Sequence, residues 1–425
     1  MSATLVTVVL ATQLRVLTLA DAVSTAESNQ PALQQVRAQT EAAQARADQA
    51  RAPLLPQLTG NAFYQRTTAN FIFRPGFAGN PSQGSPTFDT FNYFSFNLTL
   101  SQYIWDFGQT TGRWRVAQAN AAAQESSAQA TGLSVVLNVR TMYFAARAQK
   151  SLVQVAHETL ANQERHLQQI SSFVRVGTRP EIDLVQARTD RANAEVSVIN
   201  AENAYESAKA ALNQAMGVAG PTDYDVEDAT IAPVEGEDQP TDTLVEEAVR
   251  ARPDLAGLEQ QLEAQRRAVT AAKGGYWPAF NFATSFNAGS TRIEDLRWNW
   301  SAQVNLSWQL FNGLLTRSQI RETQANQRVV EAQKSTQLLA VRVEIEQARL
   351  AVRAARAALG AAEEALTNAS ERLRLAEGRY QTGVGNAIEL GDAQVALTNA
   401  RAQKIQAEYN LATARARLLT SLGRR

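Results

Sequence analysis

The chain contains one pattern twice, and this duplication restricts the possible folds more than any other feature of the sequence. Residues 105–217 align with residues 311–423 without a gap, so that Gln118-Ala119-Asn120 recurs as Gln324-Ala325-Asn326. The same register pairs turn and helix-end residues of the two halves: Gly177 with Gly383, Leu184 with Leu390, and Gly217 with Gly423. Alanine-rich helices match by chance, but turn glycines do not share a register by chance. The chain is therefore predicted to be a tandem duplication.

Each half is predicted to contain a helix, two strands and two long helices, which are rich in Ala, Gln, Glu, Arg and Leu. The stretch from Gln109 to about Phe173 would extend about 100 Å as a helix. Such a helix does not fit a compact globular core, and its alanine-rich stripe favours coiled-coil-like packing. The predicted segments are an N-terminal segment 1–20, a first repeat 21–217, a linker or equatorial segment 218–242 and a second repeat 243–425.

The N-terminal segment 1–20 is interpreted as the remnant of a leader. Its apolar run has the length of a signal-peptide core but lacks a basic flank. No later segment approaches the 18 or so consecutive apolar residues that a transmembrane helix needs. Strands that cross a membrane carry a weaker sequence signal than helices do, namely the alternation of apolar and polar residues.

Strict alternation of apolar and uncharged polar residues predicts strands from Phe94 to Ile104 and from Trp298 to Leu310. A soluble sheet also alternates, but its polar face usually carries charges. Aromatic residues gather at the ends of the predicted strands: Tyr103, Trp105, Tyr276, Trp277, Trp298 and Trp300. This pattern is typical of a transmembrane β-barrel. The predicted barrel strands are about 58–74, 91–105, 279–289 and 298–310.

Four strands per chain cannot close a barrel, and open strand edges are not tolerated in lipid. Eight strands is the smallest closed number in bacterial barrels. The strands must therefore be shared among copies, and three copies give twelve. The predicted fold class is α-helical plus membrane β-barrel, in which three copies form one twelve-stranded barrel with twelve long helical passes.

Composition excludes several classes of function. The chain has 41 basic and 41 acidic residues, so it lacks the positive surplus typical of nucleic-acid binding. It has no cysteine, and its two histidines, His157 and His166, do not share a helix face. No catalytic residue, conventional metal site, nucleotide-binding loop or cofactor is predicted, which disfavours an enzyme.

The chain resembles the TolC family of outer-membrane efflux and secretion channels, and the resemblance covers almost its whole length. The matching segments are Leu17–Ala22, Pro56 and Pro278, Trp105–Gly108 and Leu310–Gly313, and the turns at Val176–Thr178 and Gly383. The resemblance implies a homotrimer that forms one twelve-stranded barrel in the outer membrane of a Gram-negative cell and a long α-helical barrel in the periplasm. Its implied partners are a periplasmic adaptor (membrane-fusion) protein, an inner-membrane pump or ABC exporter, and outer-membrane lipid.

Two helix hairpins, with tips at about 174–184 and 380–390, are expected to form the periplasmic end. By resemblance, their turns would dock the adaptor protein; the predicted docking residues are Val176, Gly177, Thr178, Gly383 and Val384. A positive φ at a tight turn also explains Gly177 and Gly383 simply as helix caps. The two roles are compatible.

The resemblance also implies that polar bonds between hairpins close the tip. The matching positions are Asp183, Tyr380 and Asp392. Gly385 stands where the family has an arginine, so Arg179 of the first hairpin is expected to replace it, paired with Glu389 or Asp183. Asp183 could equally be a solvated carboxylate that is favoured by the dipole at the start of its helix.

Glu389 and Asp392 lie three residues apart, hence on one helix face. Threefold symmetry would turn them into two acidic rings that attract or bind cations. The alternative is an ordinary polar helix surface.

The sequence thus predicts a passive exit duct of a tripartite efflux or type I secretion system, opened at its periplasmic tip when the adaptor and pump dock. The sequence does not separate efflux from secretion, because a conduit is not where substrates are chosen. The alternative from another class is a structural coiled-coil protein of the cell envelope without channel activity. It explains the helices but leaves the aromatic strands unexplained.

Overall fold

The structure, a computed structural model, describes residues 15–68, 87–230 and 232–425. The first half contains β1 (Arg15–Leu17), α1 (Leu19–Asn29), α2 (Pro31–Arg51), β2 (Gln57–Thr68), β3 (Thr90–Trp105), α3 (Gln109–Arg175), α4 (Glu181–Met216) and β4 (Tyr224–Val226). The second half contains α5 (Thr241–Ala251), α6 (Pro253–Gly274), β5 (Ala279–Ser290), β6 (Arg297–Ser307), α7 (Leu315–Gln381) and α8 (Ala387–Ser421). The long helices α3 and α7 have 67 residues each. The predicted order of elements is therefore present in both halves.

The helix before the strands is two helices in each half, which differs from the single helix expected. Pro31 and Pro253 begin the second helix of each pair. The residues before them, Gln30 and Arg252, have ψ angles of 119° and 121°. Proline disfavours a helical conformation in the residue before it, so both halves break at the same place.

The chain divides into two compact units. The sheet unit comprises the described residues of 40–124 and 258–333, and the helical unit comprises those of 15–39, 125–257 and 334–425. No helix in the described part of the chain has the length and hydropathy needed to cross a membrane.

In the sheet unit, four antiparallel strands have the order β2-β3-β5-β6. The register aligns Leu98, Phe286 and Trp300 on one face of the sheet. On the other face, the register forms one row of four asparagines: Asn61, Asn97, Asn287 and Asn299. These three apolar residues and the row of asparagines thus lie on opposite faces, as the alternation predicted.

The strand bounds differ from the predicted ones mainly at two ends. The described part of β2 ends at Thr68, and 69–74 of the predicted strand lie outside the described residues. Strand β6 ends at Ser307 rather than at 310, and the residues that follow it are not paired with β5. The leader expectation for 1–14 also concerns residues outside the described part.

In the helical unit, part of the predicted linker is built into the fold. Strand β4 pairs in parallel with β1, so Arg15–Leu17 of the predicted N-terminal segment belongs to the folded body. The buried hydroxyl of Tyr143 in α3 shares its proton between carbonyls of both segments, that of Leu17 at 3.1 Å and that of Glu227 at 3.0 Å. Short strands of three residues lack a recognisable alternation, which explains why the sequence did not predict them.

Candidate functional site

The two hairpin turns in the helical unit have the same backbone geometry. Gly177 and Gly383 have φ angles of 74° and 80°, in the left-handed region. In the first turn, the N–H of Thr178 donates to the carbonyl of Phe173, and in the second turn the N–H of Val384 donates to that of Arg379, both at 3.0 Å. These bonds are of the Schellman type, which ends helices at a glycine. The helix-capping role of both glycines is therefore confirmed.

Apolar side chains are exposed at both turns. Val176 is 70% exposed and Val384 is 75% exposed, and each is followed by an exposed isoleucine, Ile182 or Ile388, near the start of the next helix. The two halves thus present equivalent apolar positions in equivalent places. Clustered exposed apolar residues indicate an interaction surface.

Tyr380 lies inside the second hairpin, where only 4% of it is exposed. It packs with Leu390 and Leu397 in a cluster formed by α7 and α8. Burial raises the pKa of its hydroxyl, Asp183 raises it further and Arg179 opposes them. Within the described residues, this buried hydroxyl has no hydrogen-bond partner.

Arg179 contacts an aromatic ring. Its guanidinium carbon lies 4.6 Å from the centre of the Tyr380 ring, a cation–π contact that joins the first turn to the second hairpin. The pairing of Arg179 with Glu389 or Asp183 at the closed tip stays a prediction. The ring of Tyr380 offers Arg179 a partner that the resemblance did not indicate.

Glu389 has a different partner. Its backbone N–H donates to the side chain of Asn386 at 2.7 Å, which caps α8. Its carboxylate lies 3.5 Å from Nε of Arg379, in the last turn of α7. A basic residue at the end of one helix and an acidic residue at the start of the next both suit the helix dipoles, and the turn brings them together. This signal was present in the sequence and could have indicated Arg379.

Asp183 and Asp392 both line an open groove between the two hairpins, with a volume of about 770 Å³. Asp190 of α4 lines the same groove, and sequence reasoning did not identify it. Within the described residues, no group of three or more His, Asp or Glu side chains is arranged to hold a metal ion. The acidic rings predicted for Glu389 and Asp392 need several copies and stay a prediction.

His166 was also missed as a member of this region. Its ring centre lies 5.5 Å from that of Tyr380. Burial lowers the pKa of its imidazole, while Asp190 and Asp183 raise it. The spacing of the two histidines describes one helix only, so it does not predict a contact of His166 in α3 with Tyr380 in α7.

Comparison with known proteins identifies the family. The sequence profile described as outer membrane efflux protein matches residues 22–218 and 244–424, most of both halves. The toluene efflux pump outer membrane protein TtgF of Pseudomonas putida is 26% identical over 411 residues, which cover 94% of this chain and 82% of that protein.

Solved structures show the same fold. The CmeC outer membrane channel of Campylobacter jejuni superposes with a TM-score of 0.81 at 20% identity, covering 95% of this chain and 85% of that one. The outer membrane protein VceC of Vibrio cholerae gives a TM-score of 0.80 at 17% identity, covering 95% and 96%. The shared fold confirms the predicted combination of long helices with a β domain, and the family assignment confirms the outer-membrane location and the non-enzymatic character. The homotrimer and its closed barrel stay a prediction. The chain belongs to the outer membrane efflux protein family.

Proposed function

We propose that three copies of this chain form a passive exit duct through the outer membrane, with a twelve-stranded barrel and a periplasmic helical barrel. The observation that carries the proposal is the exposed aromatic face of the sheet, on which Trp298 and Trp300 are 70% and 62% exposed. Edge strands β2 and β6 each have one unpaired side in the single chain. Three sheets joined edge to edge would remove those edges and place the aromatic face against lipid.

The test is conductance of the detergent-purified protein in a planar bilayer, after its mass in detergent has been measured. A trimer that inserts and conducts ions supports the duct. A folded trimer that never conducts would instead favour the structural coiled-coil protein of the cell envelope.

The tip is the proposed gate. The carboxylates of the groove between the hairpins, together with Glu389, would be repeated three times around the axis. We expect a trivalent cation on the tip side to block conductance, because closely spaced carboxylate rings bind multivalent cations. Glu389→Ala with Asp392→Ala should relieve the block, whereas Glu371→Ala, which removes an exposed carboxylate paired with Arg374, should not. Equal block in both variants would remove the acidic rings from the proposal.

The exposed turns are the proposed docking site for a periplasmic adaptor protein, and an inner-membrane pump would supply the energy. Val176 and Val384 support this, because an apolar side chain on an exposed turn gains from contact with another protein. Val176→Asp with Val384→Asp should leave conductance intact but abolish efflux in cells. Intact efflux would place docking elsewhere.

We favour efflux of small molecules over protein secretion by a type I system. The support is the function of relatives such as TtgF, the outer membrane protein of a toluene efflux pump. Deletion of the gene should raise the accumulation of small apolar compounds in the host. An unchanged accumulation together with the loss of a secreted protein would reverse this choice.

A further inference from the structure

Three elements of the helical unit meet at the ring of Tyr380, which belongs to α7. His166 approaches it from α3, with 5.5 Å between ring centres, and Arg179 of the first turn lies 4.6 Å from the ring centre. His166 and Tyr380 also line a small polar cavity of about 190 Å³ between α3 and the second hairpin. In this cluster of His166, Arg179 and Tyr380, the two hairpins contact each other near their tips.

We propose that His166 is a proton-sensitive contact of the tip, and that protonation of its imidazole loosens α3 from α7. The proposal rests on the proposed function only in taking the loosened tip as a step toward opening. The ligand that His166 would bind is the proton, and the effect to be measured is the separation of the two hairpins.

The charged and titratable groups that face His166 come from each neighbouring element. They are Arg165 of α3, Arg179 of the first turn, Asp183 and Asp190 of α4, and Glu377 and Tyr380 of α7. From α8, the cavity is lined by Leu390 and Gln394, which carry no charge.

The imidazole is neutral in the packed tip at neutral pH. Proton binding adds a cation beside a ring that already holds Arg179, in a place from which water is partly excluded. Asp190 and Asp183 favour the cation, but burial outweighs them, so the pKa of packed His166 lies below its ordinary value. A released imidazole regains the ordinary pKa of about 6.5.

The direction of the pH effect follows from this difference. The released tip binds the proton more tightly than the packed tip does, so acid favours release. The packed tip keeps its full stability above about pH 6.5 and loses it progressively as the pH falls through the interval down to the lowered pKa. Each pKa unit between the two states changes the ratio of packed to released tips about tenfold.

Tyr380 makes the packed state easier to disturb. Its buried hydroxyl has no hydrogen-bond partner within the described residues, and an unsatisfied buried polar group carries a cost that access to water removes. Separation of α3 from α7 would therefore relieve Tyr380 and solvate His166 in one step.

The experiment is hydrogen exchange of the full-length protein in detergent at about pH 7.5 and about pH 5.5, corrected for the intrinsic rate of exchange. We expect peptides from 160–180 and 376–392 to exchange several-fold faster at the lower pH. His166→Gln and His166→Phe should abolish this acceleration, and the second variant keeps a ring against Tyr380. His157→Gln is the matched control, because His157 lies in the same helix but is exposed and bonded to Glu202.

A pH response that persists in both His166 variants, or that is absent from the wild-type protein, would overturn the proposal. Exchange does not require a conducting channel, so it separates this proposal from the duct. If exchange accelerates but acid does not raise conductance, the proton-sensitive contact stands and the tip is not the gate.

Discussion

Two glycines show how closely single residues are matched to their surroundings in this fold. Gly217 and Gly423 follow α4 and α8 with φ angles of 71° and 77°. A Cβ atom on Gly217 would lie 2.7 Å from the Cα atom of Gln30, and one on Gly423 would lie 3.0 Å from the carbonyl carbon of Ala251. Helices α4 and α8 therefore each end against the backbone at the proline-induced helix break in their own half of the chain.

Gly217→Ala should destabilise the protein by about 2 kcal/mol or more, because alanine is strained at a left-handed φ and its Cβ has no space. Gly360→Ala is the control: Gly360 lies within α7 with nothing within 4 Å of an added Cβ, so the change should stabilise by about 1 kcal/mol. Thermal unfolding of the two variants measures both effects. Equal midpoints for the two would contradict the close approach.

Glu237 is the second residue that carries a prediction. Its side chain is almost fully buried, accepts a hydrogen bond from the N–H of Val234 at 3.0 Å and pairs with Arg356 and with Arg415, the latter at 3.2 Å. Burial alone would raise the pKa of this carboxyl, but Arg415, Val234 and Arg356 outweigh it and the pKa is lowered. The stabilisation is therefore present above the ordinary pKa of about 4.3 and is lost as the pH falls through the lowered value.

Glu237→Gln should cost about 1–3 kcal/mol at neutral pH, because charged hydrogen bonds are replaced by neutral ones. It should also flatten the loss of stability in acid. Denaturant unfolding from about pH 7 to about pH 3 tests both, with Glu364→Gln as an exposed control. A variant with the wild-type slope in acid would show that Glu237 does not carry the effect.

At the scale of elements, the strands were predictable from the sequence, but the breaks in the helices that precede them were not predicted. Alternation indicated β3 and β6 because each face of a strand repeats every second residue. The helix breaks at Pro31 and Pro253 were overlooked, although proline is itself the signal. The pairing of β1 with β4 had no local signal, because it joins segments that are more than two hundred residues apart.

The polar face of the sheet is held by a side-chain network across three strands. Asn97 donates to Asn287 and accepts from the hydroxyl of Thr99 at 2.6 Å. Asn287 donates to Ser285 at 3.3 Å, and the Ser285 and Ser301 hydroxyls are 2.9 Å apart. The amides thus use part of their hydrogen-bonding capacity along the sheet.

Asn287→Leu should lower the thermal stability of the protein by about 1–3 kcal/mol, because it leaves the amide of Asn97 without its partner. Ala288→Leu, one residue away on the apolar face, should be tolerated. Tryptophan fluorescence during heating follows the sheet, since Trp298 and Trp300 lie in β6. Greater damage from Ala288→Leu would reverse the assignment of the two faces.

For the whole molecule, the absence of cysteine makes crosslinking free of background. The hydroxyls of Thr159 in α3 and Thr398 in α8 lie 3.4 Å apart and join the two hairpins. Cysteines at both positions should form a disulfide, because neighbouring side chains at this distance suit its geometry. If the tip opens by separation of the hairpins, oxidation should abolish opening and a reductant should restore it.

Bilayer recordings before and after reduction make this measurement, and Thr159→Cys alone is the control. An oxidised double variant that still opens fully would show that the hairpins need not separate at this level. A disulfide that fails to form would contradict the packing of α3 on α8.

The position of the candidate site was predictable from the sequence, but the contacts between its side chains were not. The duplication and the turn glycines located both tips, and Tyr380, Asp183 and Asp392 do lie there. The contact of Arg179 with the ring of Tyr380 was not predicted, because the resemblance indicated a carboxylate as its partner. Side-chain contacts between helices that are distant in sequence depend on helix rotation, which residue spacing within one helix does not determine.

The two helix breaks have a consequence for how such a molecule can change over evolutionary time. In the first half, the neutral side chain of Gln30 donates to the carbonyl of Ala215 at 2.8 Å. In the second half, Arg252 donates to the carbonyl of Ser421 at 2.9 Å and also pairs with Asp254 and Glu344. The joint between the helix break and the end of the last helix was thus duplicated with the rest of the chain, and it is now uncharged in the first half and ionic in the second. Because a buried guanidinium is costly without its partners, a change at Asp254 or Glu344 requires a matching change at Arg252, whereas the neutral joint of the first half can change one residue at a time.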